Sequence, residues 1–551
     1  MRRIVVIAAG PAGVLCAVRT KRRLPESEVN LIIPAGLHEA AQGNGPYCRR
    51  LGAMLPANDL RATREVAALE VTDLQPDFDR REITLFSDRG ALTVRYNSLV
   101  LEVPAQHPTP RALQKAGNVF ALPADGFFAN APACDEALRR AAATDDPVLV
   151  VGCGVGALDA VFAALEAQCR VIWVQPENRN EPALEPSLER LVPRLLGDAV
   201  TVHTLPSTPA RELDILLADD GVTFAGIALP DEGPVQAACC LWAGPRQAKH
   251  PILREEGFVL DTYGRISVEP GIEDHLGVYI TGSGAAYEPV RFGNGAEAPV
   301  YAGGEATALA LAAHTTDRIT GRARPFAGPA GVQGATGRDV VVRRAGYTTA
   351  EAEAAGIPAE HAVHGLTPAA GRGLLALSLI ACPKTRTLLG VQVVGHGVAT
   401  ESAEGLFDIA LCALRDGTPL DALTLRDWGG RTGRLVGRCA SMLLHKLDGP
   451  ILGITPDELL ASEAAGAEFF MLDLRPEREW LKARLPESHN IPLEQLGKRL
   501  QSEVPRMMPL VLISEDSNDA YAAAVRLAGL GATSLYVLDG GMRLWPYATE
   551  S

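Results

Sequence analysis

The stretch "VVGCGVGALDA" sets Gly152, Gly154 and Ala157 at a spacing suited to dinucleotide recognition. In such a turn the first glycine makes the tight bend and the second lets the backbone approach a pyrophosphate. The third small residue lets helix and strand pack closely, and an acid ending the next strand holds the ribose hydroxyls. Here that acidic position is Gln175, which can hydrogen-bond a ribose but brings no charge. The spacing favours a nicotinamide dinucleotide, NAD(P)H; an unused turn of the same fold is the plainer alternative. The stretch "AAGPAG" repeats the pattern less completely. Gly10 and Gly13 remain, but Ala8 replaces the first glycine, and Ile33 and Pro34 offer no side-chain acceptor at the acidic position.

Two further positions bear on nucleophilic chemistry. Cys48 is followed by Arg49 and Arg50, whose charge would favour a thiolate, although a lone cysteine at a helix start is more often structural. In "ISEDSNDAYAAAVRL" (513–527) an apolar strand runs through a polar turn into an Ala-rich helix, which makes a backbone cradle for an anion. Its first residue, Ser514, is a weak nucleophile with no base beside it. Glu515, Asp516 and Asp519 crowd the same turn and would repel an anionic sulfur donor.

The elements that must position these residues follow from the pattern. Residues 2–33 and 147–175 each read as strand, Gly turn, helix and second strand, the βαβ unit of a parallel sheet. A strand ending in a Gly turn near 265–289 should return to the first of these folds. The expected organisation is α/β: a first Rossmann-like fold from 1–144 and 262–330, with a second inserted at 145–261. An α+β dimerisation-type domain follows at 335–446, containing a hairpin in "LLALSLIACPKTRTLLGVQVVG" and a capped helix in "GYTTAEAEAAGI". After a Gly/Pro linker (447–456), residues 455–551 alternate helix and strand again. A chain of 551 residues is too long for one core. Its formal charge of −14 argues against nucleic acid or an anionic membrane as partner. No apolar run is long enough to span a bilayer, and the ten cysteines contain no CxxC pair, so a reduced, cytoplasmic chain without a metal site is expected.

This order of segments resembles the coenzyme A-disulfide reductases fused to a rhodanese domain, within the pyridine nucleotide-disulfide oxidoreductases. The resemblance runs through "AAGPAGVLCAVRTKRRLPESEVNLII", "VGCGVGALDAV", "GVYITGSG", "TRTLLGVQVVG" and "LDLRPEREW…SHNIPL…LDGGMRLW". It implies FAD in the first fold, NAD(P)H in the second, a homodimer through 335–446, a small-molecule thiol or disulfide substrate, and a cysteine near residue 45 that forms a mixed disulfide. At that point "QGNGPYCRR" places Gly43 or Gly45, with Cys48 a few residues on. The family's flavin-binding Gly-Asp pair is Gly282-Ser283, and the glycine turn before residue 105 reads "LEVPAQ". In a working rhodanese the loop starts with a persulfide-bearing cysteine; here it starts with Ser514. Two readings stay open: a divergent FAD- and NAD(P)H-dependent oxidoreductase with an inactive rhodanese-like domain, or a non-catalytic scaffold keeping at most one nucleotide site.

Overall fold

The computed structural model describes residues 1–35, 43–49, 67–107, 109–121, 131–176, 183–205, 208–230, 233–244, 246–248, 258–262, 264–268, 277–301, 304–322, 324–366, 373–505 and 508–551. Arg50 lies outside them. The chain forms two compact units. One comprises Met1–Pro182, Asp198–Val290 and Pro299–Arg338; the other comprises Ala183–Gly197, Arg291–Ala298 and Asp339–Ser551.

The first unit contains two five-stranded parallel sheets. In one, the strands run in the order Val278–Thr281, Ser98–Glu102, Arg3–Ile7, Glu28–Pro34 and Ala67–Val71. Their alternate side chains feed apolar clusters on both faces, such as Ile4, Val6 and Val100 on one and Val5, Leu99 and Leu101 on the other. Burial on both faces is why these strands read as continuous apolar runs. The helix Pro11–Arg23 opens with proline at a position that needs no N–H, and ends in Lys21, Arg22 and Arg23.

The other sheet runs Val200–Leu205, Val171–Pro176, Val148–Gly152, Cys239–Ala243 and Val119–Ala121. The second fold is therefore not confined to 145–261, because its edge strand comes from upstream. Three residues of "VFA" are too short a signal to read as a strand. The range also loses a piece: the helix Pro186–Leu196 belongs to the second unit. There Ser187 Oγ donates to Asp457 Oδ2 at 2.9 Å, and Glu185 N donates to Gln392 Oε1 at 2.8 Å.

The second unit carries an antiparallel sheet in the order Val340–Gly346, Leu388–His396, Leu374–Ala381 and Glu360–Leu366, whose central pair is the hairpin around "CPKTRT". Thr348 and Glu351 close a capping box at the start of Thr349–Ala354. A parallel sheet of Ile451–Ile454, Leu535–Leu538, Leu510–Ile513, Phe470–Asp473 and His489–Asn490 completes the unit. No described helix is long and apolar enough to cross a membrane.

Candidate functional site

The turn after Arg3–Ile7 should present its N–H groups to a ligand. They are already engaged. Ala9 N and Gly10 N donate to Glu102 Oε2 at 3.0 and 2.8 Å. Ala12 N donates to Oε1 at 3.1 Å and Gly13 N to Oε2 at 2.8 Å. Pro11 has no N–H, so every donor from residue 9 to 13 ends on this one carboxylate. Glu102 is 1% exposed and closes the strand Ser98–Glu102. A Cβ on Gly13 would lie 2.5 Å from Glu102 Oε2, and one on Gly282 would lie 3.0 Å from Glu102 Cγ. The acid is thus packed between the two glycine motifs that the resemblance assigns to FAD. Ser283 is buried, and its Oγ accepts from Ala105 N at 3.3 Å, tying its own turn to the segment after Glu102. These residues do not fit FAD: the place of the pyrophosphate is taken by a carboxylate of the chain.

Around Cys48 the same substitution recurs. Residues 46–49 are helical, and the Asp135 carboxylate caps their start, accepting from Tyr47 N and Cys48 N at 2.9 Å each. A Cβ on Gly45 would lie 2.1 Å from Asp135 Cγ, so no cysteine side chain fits there beside Asp135. Cys48 itself is buried, and its thiol is pushed up to about 12, first by burial and then by Asp135. The expectation of an arginine-activated thiolate is corrected: the Arg49 guanidinium points to Asn44 O at 2.7 Å and to Glu166 at 3.9 Å. Gly43 is partly buried.

The second turn is built differently. Gly152 has φ +153°, and a Cβ there would stand 2.0 Å from Ala243 O on the neighbouring strand, so only glycine allows the two strands this approach. Gly154 takes φ +63°, and Ala157 is fully buried against the sheet. The turn is braced from outside by Trp173 Nε1 donating to Gly152 O at 2.9 Å and Cys153 Sγ donating to Pro176 O at 2.8 Å. No described side chain bonds the N–H groups of Val155, Gly156 or Ala157. Gln175, the penultimate residue of its strand, has Oε1 accepting from Thr204 Oγ1 at 3.2 Å, while its buried Nε2 has no partner. This arrangement fits the diphosphate and ribose of a nicotinamide dinucleotide.

In the C-terminal domain, Ser514 is buried at the end of Leu510–Ile513, and its Oγ accepts from Ala520 N at 3.2 Å. Asp516 Oδ1 accepts from Asn518 N at 3.2 Å, and Ser517 turns the chain with φ +72°. Glu515 reaches two arginines from other segments, Arg543 at 3.1 Å and Arg475 at 3.7 Å. The expected unrelieved acidic turn is corrected on this point: Glu515 is paired, and guanidinium groups do stand beside the loop. Among the described residues, Glu360, His361 and Glu458 could together hold a metal ion. The Lys446 ammonium already bridges them, 3.0 Å from Glu360 Oε1 and 3.1 Å from Glu458 Oε1, and donates to His361 O at 3.2 Å.

Comparison with known proteins agrees with this architecture. Residues 2–306 match the model of the pyridine nucleotide-disulphide oxidoreductases, and residues 455–547 match that of the rhodanese-like domain. No curated protein matches the chain. Among solved structures, an NAD-dependent persulfide reductase from A. fulgidus is similar over 99% of this chain and 100% of its own, at TM-score 0.77 and 19% identity. The reduced CoADR-RHD of Bacillus anthracis is similar over 99% and 97%, at TM-score 0.78 and 18% identity. A water-forming NADH oxidase from Lactobacillus brevis bound to NADH is similar over 81% and 99%, at TM-score 0.58 and 14% identity. These identities establish a shared fold, and the family implies FAD and NAD(P)H as its cofactors. With its two glycine turns, its inserted second sheet and its C-terminal parallel sheet, the chain belongs to the pyridine nucleotide-disulphide oxidoreductase family and ends in a rhodanese-like domain.

Proposed function

We propose that this family member binds NAD(P)H through its second nucleotide fold and has lost flavin-dependent disulfide reduction, serving as a nucleotide-binding scaffold. The observation that carries this reading is the contrast between the turns: one ends on Glu102, and the other is entered by no described acid. Gly152 and Gly154 would let the pyrophosphate reach the start of the helix Gly154–Glu166, and Gln175 would meet the adenosine ribose. Bound NAD(P)H supplies a hydride, but the chain offers it no reactive thiol at Gly43, Gly45 or Cys48. The rhodanese-like domain is inactive in this reading, because Ser514 replaces the sulfur-carrying cysteine and the neighbouring arginines are already paired, Arg543 with Glu515 and Arg475 with Asp473.

The test is the purified full-length protein. It should be colourless, bind NADH or NADPH by calorimetry, and oxidise neither in the presence of coenzyme A disulfide. A yellow preparation with stoichiometric flavin, turning over NAD(P)H with a disulfide, would establish the alternative of an FAD-linked reductase. Absence of heat with both nucleotides would remove the scaffold's one site.

A further inference from the structure

We infer that Glu102 is a built-in occupant of the first nucleotide fold, standing where a dinucleotide pyrophosphate would stand, and that shortening it turns this fold into a diphosphate site. The inference deepens the reading above but rests on different residues.

Three observations converge on it. The first is topological. In the sheet order, Arg3–Ile7 lies between Glu28–Pro34 and Ser98–Glu102, and the chain reverses its direction of winding across that pair. In open parallel sheets the crevice at the carboxyl ends of such a pair is where ligands bind. Glu102 is the carboxyl-terminal residue of one of the two strands. The second is the bonding. A carboxylate has two oxygens and, like a phosphate, accepts several N–H bonds at once, and all four donors of the turn are used at 2.8 to 3.1 Å. The third is the fit. Gly13 and Gly282 leave no room for a Cβ against the Glu102 side chain, so the glycines that would admit a cofactor now admit this acid. A buried charge with fewer partners would be costly, and the turn supplies those partners as a bound diphosphate would find them.

The chemical class such a fold takes, once opened, is a diphosphate-bridged adenine nucleotide. The ribose position does not add charge selectivity, since Ile33 and Pro34 carry no polar side-chain group.

The experiment compares wild type with Glu102→Ala in the full-length chain, with NADH present throughout so that the second fold is filled. The probes are inorganic pyrophosphate and FAD, read by thermal shift and calorimetry. Wild type should show no response to either. Glu102→Ala should melt lower than wild type without ligand, recover part of that loss with pyrophosphate, and bind FAD at least tenfold more tightly than wild type does. Stoichiometric FAD on wild type overturns the inference, and so does a folded Glu102→Ala that ignores pyrophosphate. Should Glu102→Ala fail to fold, Glu102→Ser carries the test. Shorter and uncharged, its side chain cannot satisfy all four donors, and a pyrophosphate-induced rise in melting temperature is again expected; none would overturn the inference. On the variant a second NADH equivalent would itself report the opened first fold, while NADH binding at the second fold should be the same in both proteins. Its absence from both would defeat the reading of the second fold and leave this one standing.

Discussion

The turns at residues 8–13 and 152–157 share a spacing and differ in what meets them from across the sheet. In the first, the neighbouring strand delivers Glu102 into the turn. In the second, the neighbouring strand delivers the carbonyl and the methyl group of Ala243, against which Gly152 packs, and no acid. The glycine pattern governs how closely something may approach. Which group approaches is decided by a residue about 90 positions away. A glycine fingerprint is therefore evidence of a turn, and evidence of a ligand only when the facing strand leaves the N–H groups to it.

The largest expected effect sharpens that contrast. Gly154→Val places a β-branched side chain at φ +63° and blocks backbone approach to a pyrophosphate, so NAD(P)H binding should fall below detection by calorimetry. Glycine 13 offers no matching experiment, since its neighbour is already Glu102. Retained affinity in Gly154→Val would mean that the nucleotide sits elsewhere and that the two turns are alike after all.

A smaller effect concerns Cys48 in the first fold. With its thiol pushed up to about 12 by burial and by Asp135, it should resist iodoacetamide at pH 8 in the native protein and react once the chain is unfolded in guanidinium. The sign of the linked pH dependence is fixed. The folded value lies above the ordinary value of 9.0, so the protonated thiol contributes stability below pH 9 that is lost as pH rises towards 12. Asp135→Asn should lower the thiol's pKa but leave it above 9, because burial is the larger cause. Rapid native alkylation at pH 8 would restore Cys48 as a catalytic candidate.

The smallest expected effect is none. Ser514→Cys alone should give no cyanide-dependent thiocyanate formation, because the Glu515 carboxylate stands beside the new thiol and pairs with Arg543, while Arg475 is held by Asp473. Adding Glu515→Gln removes that acid and releases Arg543 towards an anionic donor, while Arg475 stays paired with Asp473, and activity is expected first in this double variant. Turnover from wild type or from the single change would show that the loop is not closed in the way the first nucleotide turn is.

Much of the architecture could be read from local signals. The βαβ openings, the hairpin around "CPKTRT" and the capping box at Thr348 each lie within one short window, where periodicity and turn chemistry act. What sequence reasoning missed is long-range. "LEVPAQ" stood out for its missing glycine, while its glutamate was the informative residue. Asp135 belongs to a helix more than 80 positions from the turn it caps, and nothing in "APACDEALRR" marks it as a cap for another segment. Arg475 and Arg543 lie in stretches quoted only for their resemblance to a rhodanese. The signal that could have found Glu102 is an acid directly after the apolar run Leu99–Leu101. Such a residue is buried, so it must have partners, and donors in surplus were available in the turn after the first strand.

The tether of Glu102 to its own sheet has a quantitative consequence. A ligand attached to the protein competes at a fixed local concentration that no dilution reduces, so the turn is occupied whatever the supply of free nucleotide. A dinucleotide would meet only the fraction of molecules in which the carboxylate has swung out, and its apparent dissociation constant would be the intrinsic one divided by that fraction. With an open state of about 0.1%, an intrinsic micromolar site would behave as a millimolar one. The first fold would then be insensitive to ordinary changes in nucleotide level, while the second would remain free to follow them.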